Sequence, residues 1–290
     1  MSSDEKRITL SRWAGSNDGW NEPLPLRKDW AVESIVVDAS ALSFVVPTFL
    51  LRLRAFVDFN LSCGRRVEIV APRNRHVANY LSRMQIAAGL SPNVFTDLPS
   101  VRPSERGDVL VPITCLKSDL DVEEMGAQLY TLFQGHSEDD VAVFADALQE
   151  GFTELCGNGV EHGQNDLGCY LAAQRYGGAN RRTVLAMGDL GIGVPAHMRR
   201  VYGDESDRRM LRKALEEGAT GTGDSHRGNG IPSVLEEARN ARIRHALLEI
   251  HSGRAVLKHR LGRGGAGKTT TTVASNKLGT WICFELGPLD

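Results

Sequence analysis

The chain is organised around the stretch Gly151-Phe152-Thr153-Glu154-Leu155-Cys156-Gly157-Asn158-Gly159-Val160-Glu161-His162-Gly163. A helix advances about 100° per residue, so Glu154, Asn158 and His162 project from one side of it. The apolar residues recur at three- and four-residue steps on another side; they are Val141, Phe144, Leu148, Phe152 and Leu155. The pattern predicts a helix with one packed and one polar face. It should begin near Ser137, where a hydroxyl and three following acids suit a helix N-terminus.

The polar face of this helix carries a carboxylate and a carboxamide. Glu154 is suited to orient or deprotonate a nucleophile, and the Asn158 oxygen is suited to ligate Mg²⁺, which leaves most of its coordination to phosphate and water. Glycine costs about 1 kcal/mol inside a helix, so Gly151, Gly157 and Gly159 suggest close approach of a ligand or a neighbouring backbone. An ordinary solvated helix face also explains these residues, and for the helix taken alone it is the better explanation.

Length, charge and cysteine usage limit the class of protein. A chain of 290 residues favours two domains, and a net charge of −2 without a sustained basic patch argues against nucleic-acid binding. The five cysteines are widely spaced and form no Cys-x-x-Cys pair, which argues against a disulfide framework and a zinc site. The N-terminus lacks the apolar core of a signal peptide, and the longest apolar run, residues 41–51, is too short to span a bilayer. We therefore predict a cytoplasmic protein without a membrane partner.

The first third of the chain alternates strand and helix patterns. The predicted elements are a strand at Ser34–Asp38, a helix at Pro47–Phe59, a strand at Arg66–Val70 and a helix at His76–Ala88. Over roughly residues 30 to 90 this order resembles STAS domains, the fold of anti-sigma-factor antagonists. STAS antagonists open the first helix with Asp-Ser, whose serine is phosphorylated, but the matching residues here are Val46 and Pro47. The resemblance therefore implies a small α/β domain without the usual phosphorylation site.

The neighbouring Thr48 carries a hydroxyl, but a threonine at a helix start is more typical of a cap than of a phosphorylation site. We interpret this domain as a docking or structural module.

Residues 91–108 contain three prolines and several charged or small residues, which predicts a linker. The predicted division is a STAS-like domain with linker at 1–105 and a second domain at 106–290.

The second domain also mixes helix and strand patterns. The predicted elements flanking the central helix are a strand at Val109–Ile113, a helix at Val122–Phe133 and an antiparallel pair at Cys169–Gln174 and Arg182–Met187. The last strand runs into Gly188-Asp189-Leu190-Gly191-Ile192-Gly193, where the carboxylate can face the exocyclic amine of a base. Residues 196–224 are polar apart from a short helix at Asp207–Glu217 and predict a lid. Gly228-Asn229-Gly230 opens a further helix and suits a phosphate, although an ordinary glycine turn fits equally well.

Taken in order, these motifs resemble the nucleotide-binding domain of the GHKL ATPases, over roughly residues 137 to 286. The resemblance is closest to anti-sigma-factor serine kinases, whose first motif reads Glu-x-x-x-Asn followed by His-Gly, as do Glu154, Asn158, His162 and Gly163. It implies an α/β fold of α+β type, namely a GHKL, or Bergerat, sandwich with a mixed, largely antiparallel sheet.

The resemblance also implies residue roles around ATP and Mg²⁺. Asn158 would coordinate the Mg²⁺ that bridges the phosphates, Glu154 would act on the nucleophile, and Asp189 would bind the adenine amine with support from Thr280. The other cofactor-binding residues would be His162, Gly191, Gly193, Gly228 and Gly230. Gly191 and Gly193 would let the lid hinge, and Gly228 and Gly230 would meet the phosphates, although this second glycine motif is shorter than in many relatives.

A competing motif, Gly262-Arg263-Gly264-Gly265-Ala266-Gly267-Lys268-Thr269, satisfies the Walker A pattern. A P-loop must lead into a helix, whereas residues 269–273 are β-branched and strand-prone, and too few residues follow for a P-loop domain. We interpret the glycines as a hairpin tip between antiparallel strands predicted at Ala246–Ile250, Ala255–Leu261 and Leu278–Leu286.

Two classes of function stay open at this level. One is an ATP-dependent serine/threonine kinase of bacterial regulation, with Glu154 as base and a sigma factor or STAS-type antagonist as protein partner. The other is a nucleotide-gated interaction module that transfers no phosphate. A sensor histidine kinase is less well supported, because none of the eight histidines lies in a recognisable phospho-acceptor motif. The sequence leaves the partner's identity open, and with it the question of a homodimer.

Overall fold

The structure is a computed structural model of the chain. It describes residues 4–14, 24–90, 92–101, 109–135, 142, 144–162, 166–178, 181–216, 230–240, 243–262 and 265–288. The chain divides into two compact units, Met1–Thr114 and Cys115–Asp290. Within the described ranges, the helices are too short or too polar for any of them to cross a membrane.

The first unit is built on a parallel sheet. Its strands are β1 (Glu5–Thr9), β3 (Ser34–Asp38), β5 (Arg66–Val70) and β6 (Val94–Thr96), in that spatial order. All three neighbouring pairs are parallel. A second, two-stranded parallel sheet joins β2 (Trp13–Ala14) to β4 (Phe44–Val45). The helices are α1 (Pro47–Ser62) and α2 (Arg75–Arg83). The two strands predicted from sequence in this unit have the predicted bounds.

The differences from prediction in this unit have local causes. The helix α2 ends at Arg83 rather than at Ala88, and Gln85 then adopts a left-handed φ of 56° that a continuing helix cannot accommodate. Part of the predicted linker is the strand β6, which pairs with β5. At the start of α1 the N-cap is Val46, without a side-chain cap, and Thr48 is buried. The prediction that Thr48 caps the helix is therefore wrong.

The second unit contains a five-stranded sheet, apart from residues 109–114 of its first strand, which belong to the first unit. Its strands along the chain are β7 (Val109–Leu116), β8 (Cys169–Tyr176), β9 (Arg182–Asp189), β10 (Ala246–Leu261) and β11 (Gly267–Leu286). The spatial order is β10-β11-β9-β8-β7, and the pairs β8/β9, β9/β11 and β10/β11 are antiparallel. With a parallel sheet in one unit and this sheet in the other, the predicted mixed α/β fold class is confirmed.

Five helices accompany this sheet in the described residues. They are α3 (Asp119–Gly135), α4 (Ala145–His162), α5 (Val194–Tyr202), α6 (Asp207–Lys213) and α7 (Gly230–Asn240). The central α4 packs against α3 and α7 and reaches β8 and β9. It buries Leu148 and Phe152, as the apolar spacing predicts, whereas Leu155 is only half-buried and the unpredicted Cys156 is buried instead. The helix as described begins at Ala145, and the predicted start near Ser137 lies outside the described residues.

The segment predicted as a lid contains the predicted short helix as α6, which begins at Asp207 as expected and ends at Lys213 rather than Glu217, and it also contains most of α5, which was not predicted. The two helices share a small apolar cluster of Met198 and Met210 and pack against β10. Residues 217–229, which include Gly228, lie outside the described part of the chain.

The Walker-like string is confirmed as the connection of a β-hairpin. β10 and β11 pair from Ala246↔Leu286 to Leu261↔Gly267, so Lys268 and the threonines that follow it lie in a strand, where a P-loop requires a helix. The three strands predicted for this region form two long strands.

Candidate functional site

The polar face of α4 lines an open groove of about 510 Å³. The lining residues recur at steps of three and four along the helix; they are Asp146, Gln149, Glu150, Thr153, Glu154, Gly157, Asn158 and Glu161. Glu154 and Asn158 therefore share one surface, as predicted. Four of the eight side chains are carboxylates, so this groove favours cations and repels a bare phosphate chain.

The donor set of the groove suits a hard cation. Carboxylate and carboxamide oxygens are the ligands that Mg²⁺ prefers, and Mg²⁺ commonly takes only one or two of them from a protein. Across the described residues, no three His, Cys, Asp or Glu side chains converge as a ready-made metal site. A Mg²⁺ ion held by Asn158 would take most of its ligands from water and phosphate oxygens.

The second part of the site is the buried carboxylate of Asp189 at the end of β9. Its side chain is 9% exposed, and burial raises its pKa from 3.8 to about 6. The backbone N–H of Gly191 donates to Oδ1 at 2.6 Å, and the backbone of Thr280 also hydrogen-bonds the carboxylate; both lower the pKa. Burial changes the pKa more than the two hydrogen bonds do. Ionising this carboxyl therefore lowers the stability of the folded protein.

Two glycines allow the chain to close tightly around Asp189. Gly279 has a φ of 76°, and a Cβ on it would lie 1.8 Å from the Asp189 carbonyl oxygen. Gly193 has a φ of 81°, and a Cβ there would lie 2.6 Å from Ser252 Oγ. No other residue type fits these positions without moving backbone.

Ser252 connects the strands and helix that surround this turn. Its hydroxyl donates to the Gly279 carbonyl oxygen at 2.9 Å and lies 3.0 Å from Thr280 Oγ1. The backbone N–H of Val194, the first residue of α5, donates to Ser252 Oγ at 3.0 Å and to Thr280 Oγ1 at 3.1 Å. These bonds fix the segment after β9 against β10 and β11, and they hold Thr280 beside Asp189.

The helix α4 lies directly against the Asp189 cluster at Gly159. A Cβ on Gly159 would lie 3.3 Å from Cys169 Cβ and 3.5 Å from Asp189 Cβ, whereas a Cβ on Gly157 would meet nothing within 4 Å. One turn earlier, the Cys156 thiol lies 3.3 Å from the Cys169 sulfur, and burial raises its pKa. The close approach predicted for Gly159 is therefore to strand side chains, while Gly157 faces the open groove.

The predicted site residues thus fall into two neighbouring groups. Glu154 and Asn158 line the groove, and a second group lies around the end of β9; it comprises Asp189, Gly191, Gly193 and Thr280. Gly230 is the first residue of α7, and the side chain of His162 lies outside the described part. Sequence reasoning missed Ser252 and the role of Gly279. A glycine inside a strand pattern signals a bulge, so Gly279 carried a usable signal, whereas Ser252 carried none.

Comparisons with known proteins add little to this description. No protein-family model matches the chain. No curated protein matches it in sequence. Among solved structures, the chain is similar to the 43K ATPase domain of Thermus thermophilus gyrase B in complex with an aminocoumarin, with 18% identity and a TM-score of 0.20. That likeness covers 35% of this chain and 24% of the gyrase chain, and it is too slight to carry an argument about function.

Proposed function

We propose that residues 106–290 form a GHKL-type domain that binds ATP with Mg²⁺, and that the protein is a regulatory serine/threonine kinase acting on a protein partner. The observation that carries this proposal is the pairing of a buried carboxylate with an acidic groove on one helix. Asp189 lies beside Gly159 on the strand side of α4, while Asn158 and Glu154 line the groove. In this proposal Asp189 takes the adenine end of the ligand, and Asn158, which precedes Gly159 in α4, takes the phosphate end.

The Asp189 carboxylate suits the amine of a base rather than a phosphate. An ionised carboxylate only accepts hydrogen bonds and has about four acceptor sites, of which the backbones of Gly191 and Thr280 use two. An exocyclic amine would donate to a remaining site and form a charge-assisted bond in a buried setting. A phosphate would be repelled there, which assigns Asp189 to the adenine end.

The groove suits the phosphate end only in the presence of a cation. Its four carboxylates would repel a triphosphate, so binding should depend strongly on Mg²⁺. Mg²⁺ would neutralise the phosphates and polarise the transferred group. Asn158 would orient the ion through its carboxamide oxygen, and Glu154 would accept the proton of an attacking hydroxyl. By this assignment the acceptor is a serine or threonine of a sigma factor or STAS-type antagonist.

Calorimetry on the full chain tests the proposal. ATP titrated with Mg²⁺ should bind, and chelation of Mg²⁺ should weaken binding at least tenfold. Asp189→Asn should weaken Mg·ATP binding about tenfold or more, the scale of a lost charge-assisted hydrogen bond. The matched control is Asp119→Asn, which makes the same change at an exposed carboxylate and should leave affinity unchanged. Equal affinity of the parent and Asp189→Asn would overturn the assignment of the base pocket.

Radiolabel transfer then separates the two classes of function. A kinase should move the γ-phosphate to a candidate sigma factor or antagonist, whereas a nucleotide-gated module should bind Mg·ATP and transfer nothing. Binding without transfer to any candidate would replace the kinase proposal by the module.

A further inference from the structure

The hairpin of β10 and β11 extends well beyond the rest of its sheet. β11 has 20 residues, but its register with β9 covers only Trp281–Leu286. Over Gly267–Val273 the strand pairs without interruption with Ala255–Leu261 of β10 on one side, and among the described residues it has no strand on the other. We call the paired segments Ala255–Leu261 and Gly267–Val273 the ribbon, and the side of Gly267–Val273 that faces away from β10 the ribbon edge.

A bulge marks the point where the ribbon leaves the sheet. The register shifts between Ser252 and Ala255, so that Ser252 pairs with Thr280 and Gly253 with Lys277. Burial changes at the same point, because no residue of the ribbon edge is buried, whereas Gly279 to Ile282 all are. Extra residues in one strand bend a hairpin away from its sheet. The bulge in the backbone therefore accounts for the exposure of the ribbon edge.

The ribbon is held in place on one face. α6 packs against both of its strands, and Arg212 Nε donates to Thr271 Oγ1 at 2.7 Å. A rigid strand with a free edge is a template for another extended chain, and proteins usually block such edges with short strands, prolines or covering loops. This edge is long and contains no proline, and its Val273 side chain is 71% exposed.

The ribbon is also strongly basic. Residues 253–277 contain six lysines and arginines and no acid, in a chain whose net charge is −2. Lys258 forms an ion pair with Glu249 at 2.9 Å. Near the tip, however, Arg260 lies directly opposite Lys268 in the register. Like charges opposite each other destabilise a strand pair, and a bound anionic group would relieve that repulsion.

We propose that the ribbon edge is a docking site for an acidic, extended polypeptide segment. The segment would add to Gly267–Val273 as a further strand, with acidic side chains beside Arg260 and Lys268. Alternate residues of a strand direct their N–H and C=O groups to each side, so about three of the residues of this edge offer main-chain partners. The site is independent of nucleotide binding.

Two other occupants fit less well. Antiparallel self-pairing of two copies centred on the edge would bring Lys268 of one copy opposite Thr272 of the other, so neither lysine would gain an acidic partner. A nucleic acid would meet the basic side chains but has no main-chain groups to pair with the edge. The combination of a free edge with basic flanks favours a peptide.

Fluorescence anisotropy with a labelled peptide of alternating threonine and glutamate tests this site on the full chain. The peptide should bind the parent, and Arg260→Gln with Lys268→Gln should weaken binding at least tenfold. Both changes remove a like-charge pair, so the double variant should fold at least as well as the parent. The matched control is Arg73→Gln with Arg75→Gln, which changes the same charges at two exposed arginines of the other unit and should bind like the parent.

Amide hydrogen exchange provides a second measurement. Charge attraction without strand pairing would leave the exchange rates of these amides unchanged. Addition of the peptide should protect alternate amides of Gly267–Val273, because only every second N–H faces the edge. Failure of the peptide to bind, unchanged affinity in the ribbon variant, or binding without this alternating protection would each overturn the proposal. Tighter binding of a 20-base-pair DNA duplex without amide protection would replace the peptide by a nucleic acid.

Discussion

Replacing Asp189 by asparagine is expected to raise the stability of the ligand-free protein while it weakens nucleotide binding. Burial raises the pKa of this carboxyl from 3.8 to about 6, so the folded protein holds the proton more tightly than the unfolded chain. The stability that the carboxyl contributes is therefore fully present below pH 3.8 and is lost as the pH rises through about 6. At about 1.4 kcal/mol per pH unit, the loss by pH 7.5 is about 3 kcal/mol.

Asparagine removes this pH-dependent loss because it does not ionise. Its carboxamide keeps one oxygen for the backbone donors of Gly191 and Thr280, and weakening of one bond costs about 1 kcal/mol. The net gain in unfolding free energy at pH 7.5 should then be about 2 kcal/mol. Asp189 would thus be an example of a charge retained for binding at the expense of stability.

Urea denaturation of the parent and Asp189→Asn between pH 4 and pH 7.5 measures this effect. The difference in unfolding free energy between the two proteins should grow by about 2–3 kcal/mol over that range, in favour of the variant. The exposed-site control Asp119→Asn should show no such growth. A difference between the parent and Asp189→Asn that stays constant with pH would refute the reasoning, because it would mean that the carboxylate is not desolvated in the folded protein.

Three further predictions concern α4 and the ribbon. Gly157→Ala should stabilise the ligand-free protein by about 0.5–1 kcal/mol, since the added Cβ meets open space. Gly159→Ala should stabilise it less or destabilise it, because its Cβ would contact Cys169 closely. Thermal unfolding of both variants measures the difference. Glu154→Gln should bind Mg·ATP like the parent but lower the rate of phosphate transfer about 10²–10⁴-fold. Asn158→Ala should lose the Mg²⁺-dependent part of ATP affinity in calorimetry. Identical behaviour of the two variants would contradict the assignment of their roles. Lys268→Ala should leave ATP affinity within a few-fold of the parent, and a loss as large as that of Asp189→Asn would restore the Walker motif.

Local patterns predicted the elements of this fold well. The strands β3 and β5 have the predicted bounds, because a run of β-branched residues between turn signals leaves few alternatives. The spacing of the polar residues on α4 also placed Glu154 and Asn158 on one surface correctly. The prediction of α2 was less successful, because the left-handed Gln85 stops the helix without a glycine or proline to announce it.

The partners around Asp189 could not be predicted, because they come from distant parts of the chain. Gly159 lies 30 residues before Asp189, while Ser252 and Gly279 follow it by 63 and 90 residues. The role of each residue can be recognised only when the sheet register is known. For example, a Cβ on Gly279 would clash with the carbonyl oxygen of Asp189, which lies on a neighbouring segment. A serine in a strand pattern has no distinguishing local signal, so the role of Ser252 required the pairing of β10 with β11.

The net charge of a chain does not show where its charged residues lie in the fold. The net charge of −2 led to the conclusion that no sustained basic patch exists, yet residues 253–277 of one hairpin contain six basic residues and no acid. The acidic side chains lie elsewhere, including four carboxylates along the groove of α4. Because screening limits exposed charges to about 10 Å at moderate salt, a partner senses the local surface rather than the total. An acidic groove and a basic ribbon in one unit can therefore bind a cation–phosphate ligand and an acidic chain through separate surfaces.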